Sequence, residues 1–202
     1  MFKFQELAPG IVSYTNVMDN PKLFISDLEG LVEINSLAWA DATQSDGSSS
    51  GESTKTPKIR DCKAISLPAY DSDPNLIKEL PEAQFSVHQF LNDSLYGAIN
   101  DYRAKYSAGQ WDRSEGWQLL KYGQGNHFVN HFDDSKRYPR TTSMSFYLND
   151  DYEGGEIEFA RFSLKIKPKA NQLVMFPSNY VYNHTVHPVI SGTRYAIVGW
   201  WE

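Results

Sequence analysis

The chain has 202 residues, 41% of them hydrophobic and 14% aromatic, which is enough apolar side chain for one globular domain with a sizeable core. Its formal net charge of −6 is accompanied by no basic run longer than a pair, so a phosphate backbone is repelled and a nucleic-acid partner is not expected. A single cysteine, Cys62, excludes an internal disulfide or a multi-thiolate metal site; no apolar run nears the ~20 residues of a spanning helix and MFKFQELAPG lacks a signal peptide's apolar stretch, so no membrane partner and a cytoplasmic location are expected.

In chain order, "GIVSYTNVM" reads as a strand and a helix is predicted from Asn20-Pro21, where asparagine caps and proline fits the first turn. Leu23, Phe24, Leu28 and Leu31 follow at helical spacing. Residues 41–57 are small, polar and glycine-bearing, longer than an ordinary connection, and read either as a floppy insertion or as a mobile lid. From Pro81 to about Ser107 the residues Phe85, Phe90, Leu91, Leu95, Ala98, Ile99 and Tyr102 recur at three- and four-residue steps, predicting a long amphipathic helix packed on a sheet.

From Trp117 onward, short runs of Tyr, Phe, Val and Ile are broken by Gly, Asn, Asp and Pro, the pattern of a sandwich or barrel. "TTSMSFYLN" alternates Ser143 and Ser145 with Met144, Phe146 and Leu148, predicting a strand with unlike faces. "GEIEFA", "FSLKIKP", "QLVMFP", "YVYNHTVHPV" and "TRYAIVGWW" are read as further strands. The expected fold is α+β, a single domain over 1–202, with helical and strand support at 1–116 and a jelly-roll core at 117–202.

The polar residues set among phenylalanines in "NHFVNHFDDS" (126–135) need partners, because burying them unpaired is costly. His127 and His131 stand four apart, but the surrounding Gly123, Gly125, Phe128, Val129 and Phe132 favour a strand, on which four residues span about 13 Å, too far for both to share a metal. His131 and Asp133, two apart, point to one face and can converge on one ion. A facial triad of two histidines and one carboxylate then needs one more histidine. His88 lies in the long helix and His187 points away from the face of His184 and Val186, so His184 is the better candidate. A histidine taken singly is more often structural than a ligand.

The ordered series Y-x-x-G-x-x-F-x-x-H-x-D (Tyr122 to Asp133), "YLND…GGEIEF", "FPS" (Phe176 to Ser178) and H-x-V-x-P-V-x-x-G-T-R-Y (His184 to Tyr195) resembles the prolyl 4-hydroxylase branch of the iron(II)- and 2-oxoglutarate-dependent dioxygenases. The likeness covers Tyr122 to Trp200 strongly and the N-terminal part in outline. It implies a double-stranded β-helix with His131, Asp133 and His184 as iron ligands. It also implies Arg194 as the cation for the distal carboxylate of 2-oxoglutarate, a task suited to a rigid, permanently charged donor fork. Arg194, Ala196, Val198 and Trp200 share a strand face, which turns the arginine inward with its apolar neighbours. By the same resemblance Tyr122, Ser143 and Trp200 fall at cosubstrate-binding positions, although each also suits core or strand filling.

The implied cofactors are Fe(II), 2-oxoglutarate and dioxygen, with ascorbate as a reductant. The implied reaction is C–H hydroxylation with release of succinate and CO2, on a peptide or protein substrate containing proline. Asp133 in place of a small residue favours hydroxylation over halogenation. Two alternatives accompany it: the same cofactors acting on another amino-acid side chain or a free amino acid, and a non-catalytic jelly-roll binding module. Two departures stand out. Asn171 occupies a position where glycine is common, and the cosubstrate cation is arginine where collagen-modifying relatives use lysine.

Overall fold

A computed structural model describes residues 2–45, 53–54, 56–67, 80–106 and 113–202. Two antiparallel sheets face each other. The larger has eight strands in the order β1 (Lys3–Ala8), β2 (Ile11–Thr15), β14 (Gln172–Pro177), β10 (Thr142–Tyr147), β17 (Arg194–Trp201), β8 (Ser114–Tyr122), β7 (Lys63–Leu67) and β3 (Ala40–Asp41). The smaller has five: β13 (Leu164–Ile166), β12 (Ile157–Phe159), β15 (His184–Val186), β9 (His127–His131) and β6 (Arg60–Asp61). Two short ribbons, β4 (Gln44–Ser45) with β5 (Ser53–Thr54) and β11 (Glu153–Gly154) with β16 (Val189–Ser191), complete the β structure. This is the α+β double-stranded β-helix that the sequence predicts. No helix among the described residues is long and apolar enough to cross a membrane.

Helix α1 (Pro21–Glu33) begins where predicted: Asn20 takes a left-handed conformation and its side chain accepts the Leu23 N–H at 3.3 Å, with Pro21 next in the chain. Phe24 and Leu28 are buried, whereas Leu23 is exposed. Helix α2 (Glu82–Tyr106) buries Val87, Leu91, Leu95, Ala98, Ile99 and Tyr102 against the outer face of the large sheet, with Met144, Phe146, Leu173, Met175 and Ile197. Full burial of each of the larger aliphatic side chains contributes roughly 1.5–3 kcal/mol. Phe85 and Phe90, assigned to the same stripe by their spacing, are largely exposed, and Phe90 stacks on Phe24 of α1 with ring centroids 5.2 Å apart.

The inner face of the large sheet packs on the small one through Tyr147, Val174, Phe176 and Ala196 against Ile157, Phe159 and Ile166. Strand β10 lies between these two cores and is buried on both faces, so the contrast predicted from its alternating serines is one of chemistry and not of exposure. Ser143, Ser145 and Tyr147 share its inner face. Tyr180–Tyr182, expected in a strand, forms a 3-10 turn instead, because the Asn179 side chain accepts the Val181 N–H at 3.0 Å and bends the chain first. Much of the 41–57 segment, residues 46–52 and 55, lies outside the described residues.

Asn171 adopts φ 63°, as its place in a glycine position requires. Its side chain accepts N–H bonds from Val17 and Met18, each at 2.9 Å, and donates to the Met18 carbonyl, tying the N-terminal segment to the turn before β14. Glycine would keep the conformation and lose these bonds, whereas alanine would lose both. Chemical denaturation should therefore rank stability as wild type, then Asn171→Gly (lower by about 1–3 kcal/mol), then Asn171→Ala.

Candidate active site

His131 closes β9, Asp133 follows two residues later, and His184 opens β15. Strands β9 and β15 pair with His184 opposite His131, which sets the two imidazoles side by side with centroids 4.3 Å apart. One ligand atom from each of His131, Asp133 and His184 lies within 4.8 Å of the others. Each ring directs Nδ1 at the carbonyl two residues back, His131 to Val129 at 2.8 Å and His184 to Tyr182 at 3.1 Å. A carbonyl only accepts, so Nδ1 carries the proton and Nε2 is left as the donor atom for a metal.

Asp133 lies beyond its strand and is fixed by other contacts. Its N–H donates to the Ser178 carbonyl at 3.1 Å, its own carbonyl accepts from Arg140, and its Oδ2 accepts the Ser143 hydroxyl at 2.6 Å. Phe128 stacks on His131 with centroids 3.5 Å apart, and Phe159 and Phe176 flank His184. Burial and the neighbouring His184 push the His131 pKa down to about 3. Burial alone would raise the Asp133 pKa, but His184, His131, the Ser143 hydroxyl and Arg140 together hold it below the usual value. Two imidazoles and one carboxylate so gathered match the donor set of a facial-triad Fe(II) site.

Arg194 opens β17 opposite Tyr122 of β8 and lines the same cavity as the three ligands, with Tyr122, Met144, Ser145 and Trp200. It is 2% exposed, and its guanidinium carbon lies 4.7 Å from the Tyr122 ring centroid and 5.0 Å from that of Tyr147. Its Nε and Nη1, and the hydroxyls of Tyr147 and Tyr152, are buried without a hydrogen-bond partner. A buried guanidinium facing two phenols and no carboxylate is half of a recognition site; an anionic oxygen would complete it.

The cavity thus collects His131, Asp133, His184, Arg194, Tyr122 and Trp200. Ser143 is buried beside it, with its hydroxyl on Asp133 and 2.8 Å from the Ser178 hydroxyl. The remaining histidines lie elsewhere: His127 contacts the Gly125 carbonyl, His88 packs edge-on to Trp117, and His187 meets Glu158 at 2.6 Å. Sequence reasoning missed Tyr147, although its parity with Ser143 and Ser145 was legible, and it missed Arg60, Arg140 and Ser178. Arg140 holds Glu115 through two bonds of 2.5 Å and lies 4.0 Å over the Trp200 ring. Above the triad opens a cleft of about 730 Å³, walled by Arg60, Phe132, Tyr138, Arg140, Tyr180 and Trp200 among others.

The sequence profile of the 2OG-Fe(II) oxygenase superfamily matches residues 117–202, the stretch that supplies all three candidate ligands and Arg194. A PKHD-type hydroxylase from Idiomarina loihiensis is 37% identical over 88 residues, 41% of this chain and 39% of that protein, so the chain spans about two fifths of the length of the curated relatives it matches. The fold matches a Trichoplax adhaerens prolyl hydroxylase, solved with a hypoxia inducible factor peptide fragment, at a TM-score of 0.69 and 16% identity over 95% of this chain and 83% of that one. It matches a Pseudomonas putida prolyl-4-hydroxylase at a TM-score of 0.61 and 18% identity over 96% and 92% of the two chains. Residues 117–202 therefore carry the sequence pattern of the 2OG-Fe(II) oxygenase superfamily, and the fold of the chain is like that of these two prolyl hydroxylases.

Two outcomes follow. Ser143→Ala removes the hydroxyl that orients Asp133, and metal titration should show affinity reduced about 10–100-fold with the fold intact. Because the folded His131 pKa lies below its unfolded value, the folded metal-free protein binds fewer protons than the unfolded chain between pH 6.5 and about 3. The associated stability is complete above pH 6.5 and is lost as pH falls. Relative to His131→Gln, metal-free wild type should lose on the order of 1–2 kcal/mol between pH 6.5 and 5 in denaturant titrations.

Proposed function

We propose that the protein is an Fe(II)- and 2-oxoglutarate-dependent oxygenase that hydroxylates a C–H bond in a peptide or protein, with peptidyl proline as the leading target. The observation that carries this reading is one cavity holding a two-histidine, one-carboxylate donor set and a buried arginine with unpaired N–H groups. His131, Asp133 and His184 would hold Fe(II), and a set of only three protein donors would leave it able to take a keto acid and dioxygen. When bound, Fe(II) with 2-oxoglutarate and dioxygen supplies an oxidant able to place one oxygen atom on an unactivated carbon, the other leaving in succinate.

The protein's own groups do the positioning. Arg194 receives the distal carboxylate, with the Tyr147 and Tyr122 phenols beside it. Ser143 and Arg140 keep Asp133 turned toward the ligand site. Phe128, Phe159 and Phe176 exclude water from the imidazoles, which strengthens the electrostatic interactions within the cavity. The wide, partly aromatic cleft favours a polypeptide over a free amino acid, and Trp200, Tyr138 and Tyr180 offer rings against which a proline can pack.

Incubation of proline-containing peptides with Fe(II), 2-oxoglutarate and ascorbate should give a mass gain of one oxygen localised to proline, with succinate released in step. Free amino acids should remain unmodified, and a gain on another residue would redirect the substrate assignment. Arg194→Gln should raise the concentration of 2-oxoglutarate needed for half-maximal succinate release on the order of 100-fold. A wild-type protein that forms no visible charge-transfer band with anaerobic Fe(II) and 2-oxoglutarate would instead be a binding module.

A further inference from the structure

The cavity contains a second buried arginine that the matched segment does not supply. Arg60 enters from β6, whose pairing with β9 sets it opposite Phe128. It is 8% exposed, and its guanidinium carbon lies 5.1 Å from the Phe128 ring centroid. Nη1 donates to the Thr43 carbonyl at 3.1 Å and Nη2 to the Gln118 side-chain oxygen at 3.2 Å. Nε is buried with no hydrogen-bond partner, and among the described residues no carboxylate forms an ion pair with this side chain.

Packing alone does not account for this arrangement. A buried cation held by two neutral oxygens, with one nitrogen wholly unpartnered, is costly unless an anion joins it. Burial alone would lower its pKa, but Tyr122, Cys62 and Asp133 nearby hold it raised, so the charge persists. Its place follows from its ring contact: Arg60 lies over Phe128, which itself stacks on His131, so it stands beside the metal-ligand end, while Arg194 lies over the Tyr122 ring. Two guanidiniums therefore line one cavity, one over Phe128 and one over Tyr122, an arrangement that a small acid with two carboxylates could bridge.

Resting on the oxygenase reading above, we propose that Arg60 is the second anion anchor of the site. Its free Nε–H binds the carboxylate adjoining the keto group of the 2-oxo acid at the metal end, while Arg194 takes the distal carboxylate. A substrate lying in the cleft is a poorer partner, because Arg60 is nearly sealed from solvent and its unused donor is buried. Arg60 also holds the Thr43 carbonyl, so one side chain links the cavity to the residue before β4.

The test is anaerobic titration of the Fe(II)-loaded protein with 2-oxoglutarate and with 2-oxovalerate, which has the same keto-acid head and no distal carboxylate, read from the charge-transfer band. Arg60→Gln should weaken both ligands by one common factor of about 10–100, whereas Arg194→Gln should weaken 2-oxoglutarate alone. Arg60→Lys, which keeps the charge and loses the fork, should weaken both by a smaller common factor, and it carries the test if the glutamine variant does not fold. Fe(II) affinity separates a local contact from general damage to the site: it should stay at the wild-type value. Unchanged affinity of Arg60→Gln for both keto acids, with a raised KM for peptide, would overturn the proposal and move Arg60 to the substrate. Absence of the band in wild type would show, before any variant is compared, that the oxygenase reading itself had failed.

Discussion

Two cross-strand pairs fix the two ends of the cavity: His131 opposite His184 in the small sheet, and Tyr122 opposite Arg194 in the large one. Side chains alternate faces along a strand, so a slip of one residue in either pairing would turn a ligand or the arginine out of the cavity. The arginine end is held firmly, because β17 is hydrogen-bonded on both sides, to β10 over six residue pairs and to β8 along most of its length. The metal end has less of this support. Strand β15 has three residues, and its pairing with β9 shifts register between His184 and Val186. The carboxylate is accordingly secured by side chain and loop, through Ser143, Ser178 and Arg140, and not by a ladder.

These pairings set an unusual electrostatic condition inside an acidic chain. Against a formal net charge of −6, the cavity presents two buried guanidiniums, two imidazoles and a single carboxylate. Such a site focuses positive potential in a low-dielectric recess and draws small polyanions more strongly than the surface average would. A small dianion bound there would offset the mutual repulsion of the two guanidiniums and would add to stability by mass action. An arginine with two buried nitrogens that lack a hydrogen-bond partner suits an anionic ligand better than a neutral sugar.

Legibility in the sequence followed the range of the forces involved. The triad could be read because strand parity links His131 to Asp133 and separates His184 from His187, and because metal chemistry restricts the residue types. Arg194 could be read for the same reason, since its parity with Ala196, Val198 and Trp200 turns it inward. Ser143 was placed near the cosubstrate by resemblance, yet its hydroxyl serves Asp133, a loop contact that no periodicity encodes. Phe90 kept helical spacing but left the sheet core for a stack on Phe24, because where α1 lies across α2 is a tertiary matter. Arg60 was invisible because its place depends on β6 pairing with β9, a contact between distant parts of the chain.

The same dependence on distant pairing bears on where specificity is encoded. Residues 117–202 hold the candidate ligands and Arg194, but both long edges of their sheet are completed by earlier chain: β2 covers β14 and β7 covers β8. Without those strands the core would expose two rows of unpaired backbone groups, a state prone to edge-to-edge association. Strand β6 likewise closes β9 and carries Arg60 into the cavity, and Thr43 and Ile59 help wall the cleft. The earlier region is therefore part of the site and not only a support beneath it. The candidate metal ligands and part of the wall around them are thus supplied by different stretches of sequence, so a substitution at Thr43, Ile59 or Arg60 can alter the wall and leave the three ligand positions in place.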